Sequence, residues 1–412
     1  MRCDINSLSS AKGTRRVRTL FFALLTSASL ISTSACAAPV AQGAPNVPDF
    51  KPAFAGQTRA TKVASRTAPA VTEIATGLNK PWGLAFLPDG RMLVSEKAAG
   101  SLLIIDKDGK KSAPVSGLPP VVARDQVGMM GVAVPGDGHV YWTYAEPRGD
   151  GLGLAVARGK LGGSAAAPAM TDIQVLFRMQ PTITSTKHIG GRLVFPADGT
   201  MFVTLGERSV MEGRVQAQNL DSHFGKIVRI NRDGSLPKDN PWAGDKTAQP
   251  GIWSKGHRNI LSAALDGQGR LWEVEMGPQG GDELNLVKRG ADYGWPTISY
   301  GEEYSGKPIG QAITAKPGLE QPVYYWDPVI SPSGMTIYSG SLFPEWRGNV
   351  FIGGLSSKAL VRLVLKNDRV VGEERLLTDR AERIRDVVQG PDGALYLLTD
   401  DSNGKLLRVA PR

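Results

Sequence analysis

Six times along this chain a short apolar stretch meets a turn of Pro, Asp and Gly and continues as an alternating apolar strand. The turns are Leu87-Pro88-Asp89-Gly90, Val134-Pro135-Gly136-Asp137-Gly138, Phe195-Pro196-Ala197-Asp198-Gly199, Leu265-Asp266-Gly267-Gln268-Gly269, the looser Phe343-Pro344-Glu345-Trp346-Arg347-Gly348, and Gly390-Pro391-Asp392-Gly393. Asp-Gly supplies the positive-φ positions of a tight hairpin, and alternation turns one strand face inward. Self-similar hairpins spread along a chain are the signature of a repeat architecture. The expected fold class is all-β: a six-bladed β-propeller of four-stranded antiparallel sheets. An irregular sandwich would not need six similar hairpins. The 49 glycines and 28 prolines favour many short strands over long helices. Further strands are expected at 102–106, 226–231 and 406–409. Ring closure requires residues 71–75 to complete the last sheet. Each unit holds more chain than a bare blade needs, so several long loops are implied.

Before these units the chain reads differently. Lys12, Arg15, Arg16 and Arg18 precede an apolar run from Leu20 to Ile31, too short for a comfortable membrane span. Ala35-Cys36-Ala37 gives an A-x-A cleavage pattern, so residues 1–38 are expected to be an export signal. Cys36 admits a second reading, a lipoprotein signal with a lipid anchor on that cysteine, although Thr33 stands where Leu is usual. Both readings place the chain in the periplasm, with no membrane span in the mature part. Residues 39–70 are rich in Pro, Ala and Gly and lack periodicity, as a linker would. The propeller is expected over 71–412.

The two cysteines, Cys3 and Cys36, both belong to the leader. The mature domain therefore has no disulfide and depends on packing, sheet closure and metal. Part of the formal charge of +9 is the leader's own. No basic block stands out and aromatics are not interleaved with Arg or Lys, which argues against nucleic-acid binding. His139, His188, His223 and His257 show no zinc spacing. There is no nucleophile elbow, Walker loop or dinucleotide fingerprint. Chemistry must come from loops that converge from several blades.

Four loops qualify. His188 stands before Gly190-Gly191, where backbone can approach a ligand closely, or where the His caps a turn. Arg258-Asn259 can direct hydrogen bonds at an anionic or carbonyl-bearing ligand, or form a surface ion pair. Glu275-Met276-Gly277-Pro278-Gln279-Gly280-Gly281-Asp282-Glu283 combines carbonyls with carboxylates, the donor mixture calcium favours, or is an acidic turn. Arg383 and Arg385 lie two apart, on one face of a strand, and suit a ligand with several carboxylates, or mark a solvated edge.

In this order the segments resemble the soluble PQQ-dependent aldose sugar dehydrogenases of the glucose/sorbosone dehydrogenase family. The resemblance runs from about Thr76 to the C-terminus, through LNKPWGLAFLPDG, HIGGRL, NLDSHFGKIVRI, GIWSKGHRN, GPQGGDELN, DYGWP and RIRDVVQGPDGALYLLTD. It implies a propeller holding pyrroloquinoline quinone (PQQ) over its central channel beside calcium. His188 then matches the general base that takes the proton of an aldose C1 hydroxyl while hydride passes to PQQ, giving a lactone. An external acceptor removes the electrons. Arg258 and Asn259 match residues facing the quinone oxygens. Gly277 and Pro278 match carbonyl ligands of the calcium that polarises PQQ. Glu283 and the Tyr293 carbonyl match a second, structural calcium site. Arg383 and Arg385 match the pair that binds PQQ carboxylates, and Gln126 matches a cofactor-contacting Gln.

Departures cluster around the same site. Lys187 precedes His188 where Asp or Asn is usual, and a cation there disfavours protonated imidazole. Met276 replaces a common His. Ser356 occupies the position of a family Lys, with Lys358 nearby. Arg124-Asp125-Gln126-Val127-Gly128 and Arg258-Asn259-Ile260-Leu261 also differ from the usual pattern. These departures keep two other functions open: a non-catalytic propeller that binds sugar or cofactor, and a calcium-dependent lactonase.

Overall fold

Each of the six turns joins the first and second strands of a separate antiparallel sheet. The computed structural model describes residues 38–412; the signal and Cys36 readings fall essentially outside them. Blade one comprises Pro81–Phe86, Met92–Glu96 and Ser101–Ile105. Residues 111–115 run irregularly along its outer edge, with Ser112 N–H donating to the Ile104 carbonyl and Val115 N–H to that of Leu102. Blade two comprises Met129–Ala133, Val140–Arg148, Gly151–Gly163 and Pro168–Arg178; blade three comprises Leu193–Val194, Thr200–Thr204, Lys226–Asn231 and Ile252–Lys255. Ile260–Leu265, Leu271–Glu275, Asp282–Leu286 and Tyr324–Trp326 form blade four, and Pro332–Ile337, Val350–Gly354, Ala359–Lys366 and Arg369–Leu376 form blade five. Blade six comprises Ile384–Gln389, Leu395–Thr399 and Gly404–Pro411, completed by Pro69–Leu78 from the start of the domain. Val71 pairs with Val409 and Ala75 with Leu406, so the ring closes as the sequence required.

The turn chemistry is as read. Gly90, Gly138, Gly199, Gly269, Gly348 and Gly393 have φ between 72° and 84°. Asp89, Asp137, Asp198, Asp266 and Asp392 each accept a backbone N–H within their own turn, the Asx arrangement that fixes the hairpin.

Burial departs from simple alternation. Met92–Glu96, Thr200–Thr204, Leu271–Glu275, Val350–Gly354 and Leu395–Thr399 are buried along their whole length. The cause is sandwiching: each sheet has a neighbouring sheet on both faces. Accordingly, six large apolar clusters each span one blade-to-blade interface around the ring. Polar clasps fix the register between blades. Ser95 Oγ donates to the Met130 carbonyl at 2.5 Å, Thr143 Oγ1 to Gly191 at 2.6 Å, Thr204 Oγ1 to Ile260 at 3.1 Å and Ser333 Oγ to Ile384 at 2.6 Å. Ser262 Oγ accepts Met335 N–H at 2.8 Å, and Asp386 Oδ2 accepts Leu84 N–H at 3.0 Å, which closes the circuit from blade six to blade one. Each clasp satisfies a buried backbone group that lies outside its own sheet ladder.

The stretch expected to be a linker is laid against blades four and five. Gln57 is fully buried, its carbonyl accepting Tyr325 N–H at 2.9 Å and its amide donating to the Pro322 carbonyl at 2.9 Å. Asn46 and Val47 N–H groups both donate to Asp327, and Ala60 N–H donates to Tyr324 Oη. These contacts are made largely by backbone, so composition could not announce them. Among the described residues no helix is long and apolar enough to cross a membrane.

Candidate active site on the propeller axis

All six innermost strands run from one end of the ring to the turn-bearing end. The residues just before or at the start of each strand therefore converge at the opposite end of the axis. There they line a cavity of about 350 Å³, within the usual size for a small-molecule site. Blade one supplies Lys80, Trp82 and Lys97; Asp125, Gln126 and Met130 come from the approach to blade two. His188 comes from blade three, Arg258, Asn259 and Met276 from blade four, Ser331 and Leu355 from blade five, and Arg383, Arg385 and Asp400 from blade six. Below it, Arg192 of blade three reaches Asp386 of blade six, across the axis, at 2.8 Å. The same guanidinium lies 4.8 Å from the Trp82 ring centre. This buried pair sits beneath the cavity within the central channel.

His188 is buried, with a left-handed φ of 43°. The strain is held by its neighbours: Gln126 Oε1 accepts its N–H at 3.2 Å, and its carbonyl accepts Arg208 N–H at 3.0 Å. Its Nδ1 lies 2.7 Å from Oε1 of fully buried Glu207. Glu207 Oε2 accepts Ser209 N–H, so the carboxylate is fixed. An ionised carboxylate accepts only, which puts the imidazole proton on Nδ1 and leaves Nε2 as the basic nitrogen. Burial, then the nearby Arg258, pushes the imidazole pKa down to about 4 against the opposing pull of Glu207. Lys187 is exposed and is the weakest of these influences.

Arg258 Nη1 donates to the carbonyls of Met276 at 2.8 Å and Gly277 at 2.7 Å, and its guanidinium packs over Trp295. Arg383 and Arg385 both reach Asp400, at 2.8 and 3.1 Å. Burial opposes ionisation of Asp400, but Arg385 and Arg383 outweigh it and hold the carboxyl at about 2. Among the described residues, Arg258 Nε, Asn259 Oδ1 and Arg385 Nε are buried without a hydrogen-bond partner. Unmet polar groups of this kind are costly and point to a ligand that completes them.

The sequence candidates fall into two groups. Gln126, His188, Arg258, Asn259, Arg383 and Arg385 line the axial cavity, and the Gly277-Pro278 loop lies beside it through Arg258. Asp282 is occupied elsewhere, accepting N–H groups of Gly277, Ile330 and Ser331. Ser356 is exposed, donates to the Val329 carbonyl and lines a neighbouring cavity of about 540 Å³.

Glu283 and Tyr293 belong to a separate buried cluster within blade four. Asn285 Nδ2 lies 2.8, 3.4 and 3.2 Å from oxygens of Glu273, Glu275 and Glu283. His257 Nδ1 is 3.2 Å from Glu275, and the Tyr293 ring stacks on the His257 ring at 4.6 Å. Donor atoms of His257, Glu273 and Glu275 lie within 4.8 Å of one another. Burial, then Glu275, drives the carboxyls of Glu273 and Glu283 far above the usual range. Among the described residues, Glu273 Oε2 and Asn285 Oδ1 have no partner. The donor atoms of Glu273, Glu275 and His257, with Glu283 beside Asn285, suit a metal ion, and turning the Asn285 amide would present a further oxygen.

Glu207, Lys97, Asp400 and the Arg192–Asp386 pair escaped the sequence reading. The signal available was positional: Lys97, Met276, Leu355 and Asp400 each follow, directly, the second strand of a blade.

The fold and site together define a class: a six-bladed propeller with a basic cavity at one end of its axis and a carboxylate-oriented histidine in that cavity's wall. Residues 78–408 match the Glucose / Sorbosone dehydrogenase family, and the chain belongs to it. It is 41% identical over 344 residues to the aldose sugar dehydrogenase YliI of Escherichia coli (strain K12), covering 81% of this chain and 91% of that protein. The apo crystal structure of the soluble aldose sugar dehydrogenase from Escherichia coli superposes with a TM-score of 0.80 at 39% identity, covering 84% of this chain and all of that one (100%). A PQQ-bound aldose sugar dehydrogenase from Streptomyces coelicolor gives 0.69 at 27% identity, covering 84% and 100%.

Proposed function

We propose that the chain is a periplasmic oxidoreductase that oxidises the C1 hydroxyl of aldose sugars to lactones with PQQ and calcium, and releases electrons to an external acceptor. The observation that carries this reading is the charge of the axial cavity beside a neutral histidine. Lys80, Lys97, Arg258, Arg383 and Arg385 face only Asp125 and Asp400 there. That excess suits a ligand bearing several carboxylates. The unpartnered Arg385 Nε and Asn259 Oδ1 fit such a ligand's polar edge.

PQQ, when bound, supplies the hydride acceptor. Arg383 and Arg385 would hold its carboxylates, and Gln126, Arg258 and Asn259 would hydrogen-bond its remaining oxygens. Gly277 and Pro278 would offer carbonyls to a calcium beside it, the Gly277 carbonyl sharing its lone pairs with Arg258. Glu283 and the Tyr293 carbonyl, backed by Glu273, Glu275 and Asn285, would hold a second, structural calcium. His188 Nε2 takes the C1 hydroxyl proton, and Glu207 stabilises the imidazolium that forms. A lactonase needs carboxylates free to ring one metal, and Asp400 is tied to two arginines.

The test is turnover. The chain reconstituted with PQQ and calcium should reduce a dye in the presence of an aldose panel, and His188→Ala should not. Absence of both a PQQ spectral shift and turnover rejects the dehydrogenase. Lactone hydrolysis in calcium alone would select the lactonase instead.

A further inference from the structure

We infer that Lys97 is a ligand-binding residue of the axial cavity, pairing its ammonium with a carboxylate of the bound anion. This rests on the cofactor reading above and names a contact that reading did not contain.

Lys97 directly follows the second strand of blade one, the position Asp400 occupies in neighbouring blade six. Both side chains line the cavity. Lys97 is 7% exposed, yet among the described residues its ammonium donates to the Asp125 carbonyl and has no carboxylate within ion-pair distance. The carboxylate that lines the cavity from blade six, Asp400, is held by Arg383 and Arg385. A buried charge with only a neutral acceptor is costly unless a counter-ion arrives. Burial, then the adjacent Arg385, lowers its pKa, and an anionic ligand would offset both effects.

The backbone holds it there. Lys97 N–H donates to the Lys80 carbonyl at 3.1 Å. A Cβ on Gly128 would collide with the Lys97 carbonyl oxygen, so blade two closes against this residue only because position 128 is glycine. Lys97 thus adds a cation from blade one to the pair from blade six. Ser356 opens into the neighbouring cavity and contributes none.

The experiment titrates PQQ into the whole purified chain in calcium-containing buffer and follows quenching of tryptophan fluorescence, since Trp82 lines the cavity. Lys97→Met should weaken PQQ binding about thirtyfold or more, lower the salt dependence of the dissociation constant, and raise the melting temperature of the PQQ-free chain. Lys97→Arg should restore most of the affinity. A folded Lys97→Met that binds PQQ within about twofold of the wild type, with unchanged salt dependence, overturns the assignment alone. A wild-type chain that binds no PQQ overturns the cofactor reading and the assignment together.

Discussion

Glu207→Gln isolates the orientation of the catalytic imidazole. The carboxylate has two contacts: Oε1 lies 2.7 Å from His188 Nδ1, and Oε2 accepts Ser209 N–H at 3.1 Å. Glutamine has one carbonyl oxygen. Ser209 N–H claims it, so the amide NH2 faces Nδ1. Nδ1 must then accept, the ring proton moves to Nε2, and the basic nitrogen is lost from the cavity side. The lost charge-assisted hydrogen bond is worth about 1.5–3 kcal/mol. The wrong tautomer should lower kcat by roughly 10²- to 10⁴-fold. Size and shape hardly change and Glu207 does not line the cavity, so PQQ affinity and melting temperature should stay near wild type. The assay is steady-state dye reduction at saturating aldose and PQQ, with PQQ binding measured in parallel. A Glu207→Gln protein with normal PQQ binding and kcat within about twofold of wild type would refute the assigned tautomer and the role of Glu207.

Three further outcomes follow from the same geometry. Asp386→Asn leaves Arg192 as a buried cation beneath the cavity and should cost about 3–5 kcal/mol; urea denaturation measures it, and an unchanged midpoint would show that the channel pair is not a structural clasp. Burial holds the imidazoles of both His188 and His223 at about 4. Between roughly pH 6.5 and 4 the unfolded chain then takes up protons that the folded chain refuses, so stability should fall as pH drops through that window, by on the order of 3 kcal/mol per histidine. Urea midpoints across that range check it, with His223→Gln flattening the slope. Calcium bound at the blade-four cluster, at about 100 times its dissociation constant, should stabilise the chain by about 2.7 kcal/mol, a chelator should reverse this, and the double variant Glu273→Gln/Glu275→Gln should lower the calcium-dependent rise in melting temperature by that site's share; a double variant with the full wild-type rise rejects a metal in the blade-four cluster.

The scaffold was legible because its information is local. Asp89-Gly90 and Asp392-Gly393 dictate hairpins by backbone chemistry alone, and six of them leave few closed arrangements. Strand burial was less legible: Met92–Glu96 alternates in nothing, because a sheet between two sheets has no outer face. The clasps from Ser95, Thr143, Thr204, Ser262, Ser333 and Asp386 are single residues whose partners lie in the next blade, and no local pattern marks them. The site divided the same way. His188, Arg258, Arg383 and Arg385 stand in recognisable strings. Glu207 and Lys97 matter only through what the ring brings beside them, and Lys187, which looked disruptive in sequence, points to solvent.

The central claim joins a basic axial cavity to a base that works beside it, and one measurement addresses both. Apo chain in calcium is titrated with PQQ, and the rate of aldose-dependent dye reduction is recorded at each addition. Activity should rise linearly and stop at one PQQ per chain, while His188→Ala should bind PQQ with the same stoichiometry and show no rate. Rates that never rise, or a His188→Ala protein that turns over like the wild type, would contradict it.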